Sequence, residues 1–294
     1  SIFGKTMTRS SKQTLANKRI SPQQILLPLA TLGIVVFCLA PILWQVLTSV
    51  KLNRDISAVP TVYFPTQLTL DRYIELFTRY PFWRYILNSA FVSIVSTAFS
   101  LAIGAPAAYA LTRLHLWGEK AILAGITIVT LFPSILLLLG LLEIVQALKL
   151  SNNYLALIIT YTAINLPLTI LVMRSFFQQL PRDLEDAAKV DGYSTWQMLV
   201  QILLPLTLPA LVTTGILTFI FAWNEFIFAL TFITRDDLKT IPVMAAQLGG
   251  ASNFEIPYGP IAAATVIGTF PLVVLVLFFQ RKIVQGLTAG AVKG

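Results

Sequence analysis

The stretch EDAAKVDGYSTWQMLVQILLPLTLPA, residues 185–210, decides how the rest of the chain is read. Its first half is acidic, rich in alanine and interrupted by Gly192; its second half is apolar and runs into prolines. Asp183, just upstream, is predicted as a helix N-cap. Glu185 and Asp186 then fall in the first turn, where carboxylates favour the positive end of the helix dipole. Ala187 and Ala188 propagate the helix, and Gly192 is a natural stop. Ser194 restarts it, with Gln197 at the spacing of a capping box. Trp196, Leu199 and Leu203 follow at helical spacing and are predicted to share one face. Pro205 then opens a new apolar run. The stretch is a short polar helix, a tight turn, and a second helix leading back into an apolar phase.

What surrounds it is lipid-like. Of the 294 residues, 56% are apolar and 12% charged, with a mean hydropathy of +0.77. Soluble domains carry about a quarter charged residues. A water-soluble core of this length would leave too much apolar surface wet. About 20 apolar residues cross a bilayer as a helix. By that measure six crossings are predicted, over residues 25–50, 85–112, 121–142, 154–173, 205–233 and 259–279. The fold class is therefore an all-α polytopic membrane protein with six transmembrane helices. Helices satisfy their own backbone in lipid, and no alternating ten-residue strand pattern argues for a barrel. The first run is too long for a signal-peptide core, and no small-residue cleavage site follows it, so it is expected to be retained.

An even number of crossings puts both ends on one side. Thirteen of the 21 Lys and Arg gather there: five before Ile25, two across residues 113–120, three across 174–189 and three in the tail. This bias predicts cytoplasmic termini and a cytoplasmic 176–204 loop. It also explains the net charge of +8 as topology rather than as a nucleic-acid face. The expected organisation is a cytoplasmic tail over 1–24, a membrane domain over 25–280 and a second cytoplasmic tail over 281–294. The opposite side holds the 51–84 loop, whose Tyr63, Phe64, Tyr73, Phe77, Phe82 and Trp83 suit a membrane interface.

Several chemistries are excluded. Cys38 is the only cysteine, so there is no disulfide framework. His115 is the only histidine and reads as a loop residue. Gly4-Lys5-Thr6 resembles the end of a phosphate-binding loop, but the preceding glycine and strand are missing, so the chain has no visible means of hydrolysing ATP. Prolines 28, 41, 106, 133, 167, 209 and 271 lie in or near the crossings and read either as kinks or as hinges. Glu225 lies within a predicted crossing. An ionised group at a span centre costs about 2.5–3.5 kcal/mol on insertion scales, so it is expected to face protein or water. Either Glu225 lines a solute path or gate with Asn224, or it holds helices together by hydrogen bonding. Asn165 and Glu143 are lesser candidates.

Asp186-Ala187-Ala188, three residues, Gly192, nine residues, then Ile202-Leu203-Leu204-Pro205 resembles the signature loop of the membrane subunits of binding-protein-dependent ABC importers. That pattern begins with Glu; Asp186 keeps the carboxylate one methylene shorter, with Glu185 beside it, so either can be the contacting group. Asp191 before the glycine is also usual. Trp223-Asn224-Glu225-Phe226 resembles the carbohydrate-importer permeases. The tail Gly286-Leu287-Thr288-Ala289-Gly290-Ala291-Val292-Lys293-Gly294 is similar to the smaller membrane subunit of the maltose importer.

The resemblance implies a type I ABC importer permease in a bacterial inner membrane, a non-catalytic subunit with no cofactor of its own. It implies two separate ATPase subunits that carry ATP and Mg, a second homologous permease and an extracytoplasmic sugar-binding protein. Glu185, Asp186, Ala187, Ala188, Asp191 and Gly192 would form the coupling helix that docks on an ATPase. If its carboxylate pairs there with an arginine away from water, removing it costs roughly 3–5 kcal/mol of docking. Gly286, Leu287, Thr288, Ala289, Gly290 and Lys293 would contact the ATPases. Trp223, Asn224 and Glu225 would lie at the translocation path or gate. The polar 234–258 loop, with Gly249, Gly250, Ser252 and Asn253, would reach the binding protein; from its residues alone it is an exposed loop. Two other classes compete. An ion-coupled secondary transporter would carry more spans, an internal repeat and several buried acids. A membrane enzyme would show a cluster of His, Asp or Ser at catalytic spacing. Neither pattern is visible.

Overall fold

The computed structural model describes residues 22–251 and 257–291, with side chains over 26–249 and 257–280. The chain divides after Trp44 into two units, the second running from Gln45 onward. The long elements are α1 (Pro22–Val50), α2 (Phe82–Arg113), α3 (Glu119–Leu131), α4 (Leu138–Ala147) and α5 (Tyr154–Phe177). After them come α6 (Asp183–Val190), α7 (Leu208–Asn224), α8 (Ile227–Phe232) and α9 (Tyr258–Ala291). The described residues form no strand, only one isolated bridge between Lys51 and Leu68.

Among the described residues, α1, α2, α5 and α9 are each long and apolar enough to cross a membrane alone. The other two crossings are bent. Glu119–Leu131 and Ser134–Ala147 meet at 96°, and Thr195–Leu206 and Leu208–Asn224 meet at 80°. The crossings expected over 121–142 and 205–233 are thus present as bent pairs, with breaks sharper than a simple kink. The first break falls at Pro133. A residue before proline is pushed out of the helical region, and Phe132 is extended at φ −78°, ψ 127°. The second falls at Thr207, between Pro205 and Pro209, and the same crossing breaks again at Glu225 (φ −66°, ψ 132°). Pro28, Pro41, Pro106, Pro167 and Pro271 instead lie inside continuous helices.

The core is built on α2 and α5, which pack along their lengths. Their seam is small and hydroxylic: Ser96 and Ser100 of α2 meet Thr162 of α5, and Ser93, Asn165 and Thr169 are buried with them. Small residues let transmembrane helices approach closely. At Gly104 a Cβ would lie 2.5 Å from Thr169 Cγ2, so no larger residue fits without displacement. Several hydroxyls donate to their own helix, as Ser100 does to Ser96 O (2.8 Å) and Thr169 to Asn165 O (2.9 Å). α7 lies across this pair, and α9 is tied to α7 by the Trp223 indole, which donates to Gly268 O at 2.9 Å.

The bundle has two ends. At one, Arg113 of α2 lies beside Phe177 of α5, and Glu119 of α3 pairs with Arg174 of α5 at 3.5 Å. At the other, Asn88 of α2 meets Tyr154 of α5 and the chain after α8. The bent α3–α4 pair starts at the Arg113 end. It finishes with Val145 and Leu150 packed in the cluster that holds Phe232 and Tyr154, so it spans the bundle despite its bend.

Two expectations are corrected. Phe82 is a core residue, packed edge-on against Phe77 and Tyr85 rather than lying at an interface. The loop after α8 is not simply exposed: it contains a helix, Ile241–Gln247, whose Ile241 and Met244, with Leu248, are buried against Trp223 and Tyr85. The i, i+3, i+7 spacing of these three is the sequence signal for that buried face.

Candidate functional site

The 178–207 segment folds at the Arg113 end as the sequence pattern dictates, with two exceptions. α6 begins at Asp183 with no side-chain cap, because Arg182 already has helical dihedrals and its carbonyl accepts from Glu185 N and Asp186 N (2.9 and 3.1 Å). Asp183 is therefore the first helical residue, not the cap. α6 closes on Gly192 at φ +81°. There Tyr193 N returns to Ala188 O (3.0 Å) and Gly192 N to Lys189 O (3.1 Å), the two bonds of a Schellman motif. Ser194 and Gln197 form the full capping box. A five-residue π-helical stretch, Leu199–Leu203, follows. Met198, Leu199 and Leu203 are buried against Met173, Phe177, Ala188 and Ala210. Trp196 is the second exception. It is 63% exposed and points away from the face carrying Leu199 and Leu203.

The two acidic residues of α6 have opposite fates. Glu185 is turned into the protein. Its carboxylate lies 3.0 Å from Arg113 Nε, with both side chains under a tenth exposed. The approach is a charge contact rather than an aligned hydrogen bond. Tyr109, one turn back on α2, donates to the other carboxylate oxygen at a long 3.5 Å and packs edge-on against Phe177. Arg113 Nη2 donates to Phe177 O (2.6 Å), the last carbonyl of α5, and to Leu180 O (2.5 Å) in the turn that follows. Asp186 faces out. Its side chain is 73% exposed and pairs with Lys189 on its own helix at 3.6 Å. Val190, 87% exposed, stands with Asp186 and Trp196 as the outward surface of the loop. Ala187 and Asp191 are exposed too, and Ala188 is buried beneath them.

Within the membrane, Glu225 bridges the break between α7 and α8. Its carboxylate accepts from Phe228 N (2.9 Å), Ala229 N (3.1 Å) and the Tyr161 hydroxyl (2.6 Å). It supplies the acceptors that the first turn of α8 lacks and ties the break to α5. Of its neighbours, Trp223 is buried, while Asn224 is exposed and donates to Ile220 O (2.9 Å).

This arrangement has known counterparts. Residues 100–289, which hold the loop, Arg113 and the Glu225 break, match the family described as binding-protein-dependent transport system inner membrane component. The chain belongs to that family. Among its relatives is the sulfoquinovosyl glycerol transport system permease protein SmoH of Agrobacterium fabrum, 41% identical over 256 residues, which are 87% of this chain and 89% of SmoH. Another is the trehalose/maltose transport system permease protein MalG of Thermococcus litoralis, 38% identical over 274 residues, 92% and 98% of the two chains. Among solved structures, a chain of the bacterial importer of the acidic polysaccharide alginate superposes with a TM-score of 0.72 at 22% identity, covering 88% of this chain and 96% of that one. The fold is that of a type I ABC importer permease.

At the Asn88 end of the permease, backbone carbonyls and amides of the 232–241 segment are held by side chains. Asn88 Nδ2 donates to Asp237 O (3.0 Å) and Lys239 O (2.9 Å), and its Oδ1 accepts from Tyr154 (2.6 Å). Ser89 accepts from Ile241 N (2.9 Å). Asn152 Oδ1 accepts from Thr234 N (2.7 Å) and Arg235 N (2.8 Å). The Arg235 guanidinium grips Asp237 and holds its carboxyl below the ordinary aspartate value, with Arg84 adding to the effect. Gly249 is half-buried against Ile261; Ser252 and Asn253 lie outside the described residues, and Gly250 is described only as backbone of a short 3-10 turn. Gly286, Leu287, Thr288, Ala289 and Gly290 continue α9 as helix, and Lys293 lies outside the described residues.

Reasoning from the sequence misses Arg113, Tyr109, Tyr161, Asn88 and Asn152 as site residues. Arg113 does carry a usable signal: a cation closing a crossing, opposite a loop whose first turn is rich in carboxylates.

Proposed function

We propose that this permease is a membrane subunit of an ATP-driven sugar importer. It forms one half of the solute path and converts closure of two partner ATPases into switching between inward- and outward-facing states. ATP and Mg belong to those ATPases. A second homologous permease supplies the other half of the path, and an extracytoplasmic binding protein delivers the sugar to the Asn88 end. The Arg113 end is cytoplasmic, and the distribution of lysine and arginine favours cytoplasmic termini as well. The sugar class rests on the relatives, which are named as permeases for sulfoquinovosyl glycerol, trehalose and trehalose/maltose.

One observation carries the coupling role: the loop is rigid at both ends and outward-facing between them. A Schellman turn and a capping box fix its shape. Its exposed surface combines the acids Asp183, Asp186 and Asp191 with the apolar Val190 and Trp196. Such a mixture of apolar anchors and carboxylates suits a socket on another protein. Asp186, rather than Glu185, is then the docking carboxylate, because Glu185 is already engaged by Arg113. On the path side, Asn224 is the member of the Trp223–Glu225 trio left facing outward, and Glu225 holds the break that aims it.

The test is co-purification. Asp186→Asn and Trp196→Ala should each strip the ATPase from the detergent-solubilised complex. Affinity should fall about tenfold or more, as expected when a charge-assisted hydrogen bond or an anchoring ring is removed from a dry socket. ATPase recovered at wild-type stoichiometry with both variants would overturn the docking role of this surface.

A further inference from the structure

A lever needs an attachment as well as a handle. The partner can only grip what faces it, which on α6 includes Asp186 and Val190 but not the buried Glu185. Movement of α6 must then reach α2 and α5, the pair at the centre of the bundle. The joint between them has two parts. Apolar packing of Ala188, Met198, Leu199 and Leu203 on Met173 and Phe177 is one. Such packing transmits strain through close contact, but its dispersion attraction carries no charge or defined direction. The directional part is Arg113. One guanidinium at the end of α2 meets the Glu185 carboxylate of α6 and the Phe177 and Leu180 carbonyls at and just after the end of α5. Three elements therefore converge on one buried side chain.

The burial gives this joint its strength. A buried pair separates only if both charges are re-solvated or left uncompensated, which is far costlier than separating a surface pair. The contrast with Asp186–Lys189 is direct, since that pair is well exposed and confined to one helix.

We propose that Arg113 and Glu185 are positioning residues of the transport cycle: they form the internal joint through which the docked helix drags the ends of α2 and α5, separate from the surface that binds the ATPase. The inference rests on the docking role of α6 proposed above. It goes further in assigning two adjacent acids to two different tasks, Asp186 to grip and Glu185 to transmission.

The experiment uses the complete complex in proteoliposomes, isolated through its ATPase so that only assembled material is assayed. Two quantities are read for each variant: ATPase recovered per permease when the same membranes are instead purified through the permease, and sugar moved per ATP hydrolysed in the reconstituted complex. Glu185→Gln keeps the side-chain shape and removes the charge. It should leave ATPase recovery at the wild-type level and lower the sugar moved per ATP about tenfold, within the range of intersite coupling. Should Glu185→Gln assemble poorly, Arg113→Gln with Glu185→Gln removes both charges and leaves none stranded. The same uncoupling is expected of it. Wild-type stoichiometry of transport in an assembled Glu185→Gln or double variant overturns the joint. So does loss of ATPase recovery in Glu185→Gln to the level of Asp186→Asn, because Glu185 would then belong to the grip. Failure of the docking role shows elsewhere, in Asp186→Asn and Trp196→Ala that keep their ATPase, so the two ideas fail separately.

Discussion

The two ends of this permease are held together by opposite means. At the Arg113 end, one guanidinium and one carboxylate, both buried, join α2, α5 and α6. At the Asn88 end, the backbone of the 232–241 segment is held by neutral groups: Asn88, Ser89 and Asn152 together engage five backbone groups between Thr234 and Ile241, with a half-exposed ion pair, Arg84–Asp237, beside them. The first design concentrates the load in one place; the second spreads it. A concentrated joint transmits force in a defined direction and fails completely when cut. A spread lattice fixes a shape and loses it by degrees. The difference fits a molecule pulled at one end while the other presents a constant face.

The largest effect expected from this contrast is at the concentrated joint. Arg113→Ala strands the Glu185 carboxylate in a buried site and opens the Phe177 and Leu180 carbonyls at and just after the end of α5. Breaking one side of a buried pair costs about 3–5 kcal/mol. The 178–194 segment should become protease-sensitive in the purified complex, and the thermal midpoint should fall. At the Asn88 end, Asn88→Ala loses bonds to Asp237 O, Lys239 O and the Tyr154 hydroxyl. Removing partners from buried polar groups costs about 1–3 kcal/mol. Ser89 and Asn152 remain in place to hold the flanks. Amides over 236–241 should exchange faster while the thermal midpoint moves less than in Arg113→Ala. An Asn88→Ala loss equal to or greater than that of Arg113→Ala would erase the distinction between the ends.

The same contrast explains what the sequence could and could not disclose. Whatever is set within a few residues was legible. The capping box of Ser194 and Gln197, the stop at Gly192 and the extents of α1, α2 and α5 follow from local pattern, and all stand in the structure. Pro133 was visible as a possible kink, but a 96° break was not, since Pro106 and Pro167 carry the same local penalty inside continuous helices. Whether a proline bends or breaks a helix depends on what satisfies the backbone around it. The Glu225 break illustrates this. Its carboxylate completes the start of α8, but the Tyr161 hydroxyl that steadies it comes from 64 residues upstream. Arg113 and Glu185 are likewise 72 positions apart in the numbering, and no local pattern pairs them. The outward turn of Asp186 and inward turn of Glu185 became readable only once Arg113 had a place.

The smallest effect concerns the ion pair beside the neutral lattice at the Asn88 end. Asp237 is gripped by Arg235 through two nitrogens, at 3.0 and 2.7 Å, with Arg84 at 3.4 Å. The Arg235 guanidinium holds the folded carboxyl below its ordinary value. A carboxylate depressed on folding stabilises the folded form fully above its unfolded pKa, about 3.9 for aspartate, and loses that contribution as pH falls through the lower folded value. Asp237 therefore adds nothing pH-dependent between pH 5 and 8, and its contribution fades only below about pH 4. The group is largely solvated by comparison with Glu185, so the effect is local. Exchange of the 236–241 amides should rise modestly as pH drops from 5 to 3, after correction for intrinsic exchange, and Asp237→Asn should flatten that rise. Asp55, held low chiefly by the Thr66 backbone N–H, titrates over the same range, which is why the reading must be taken at 236–241 rather than from global unfolding. A steep acid response at these amides that survives Asp237→Asn would show that the lattice at this end depends on charge after all, and that the two ends differ less than their geometry suggests.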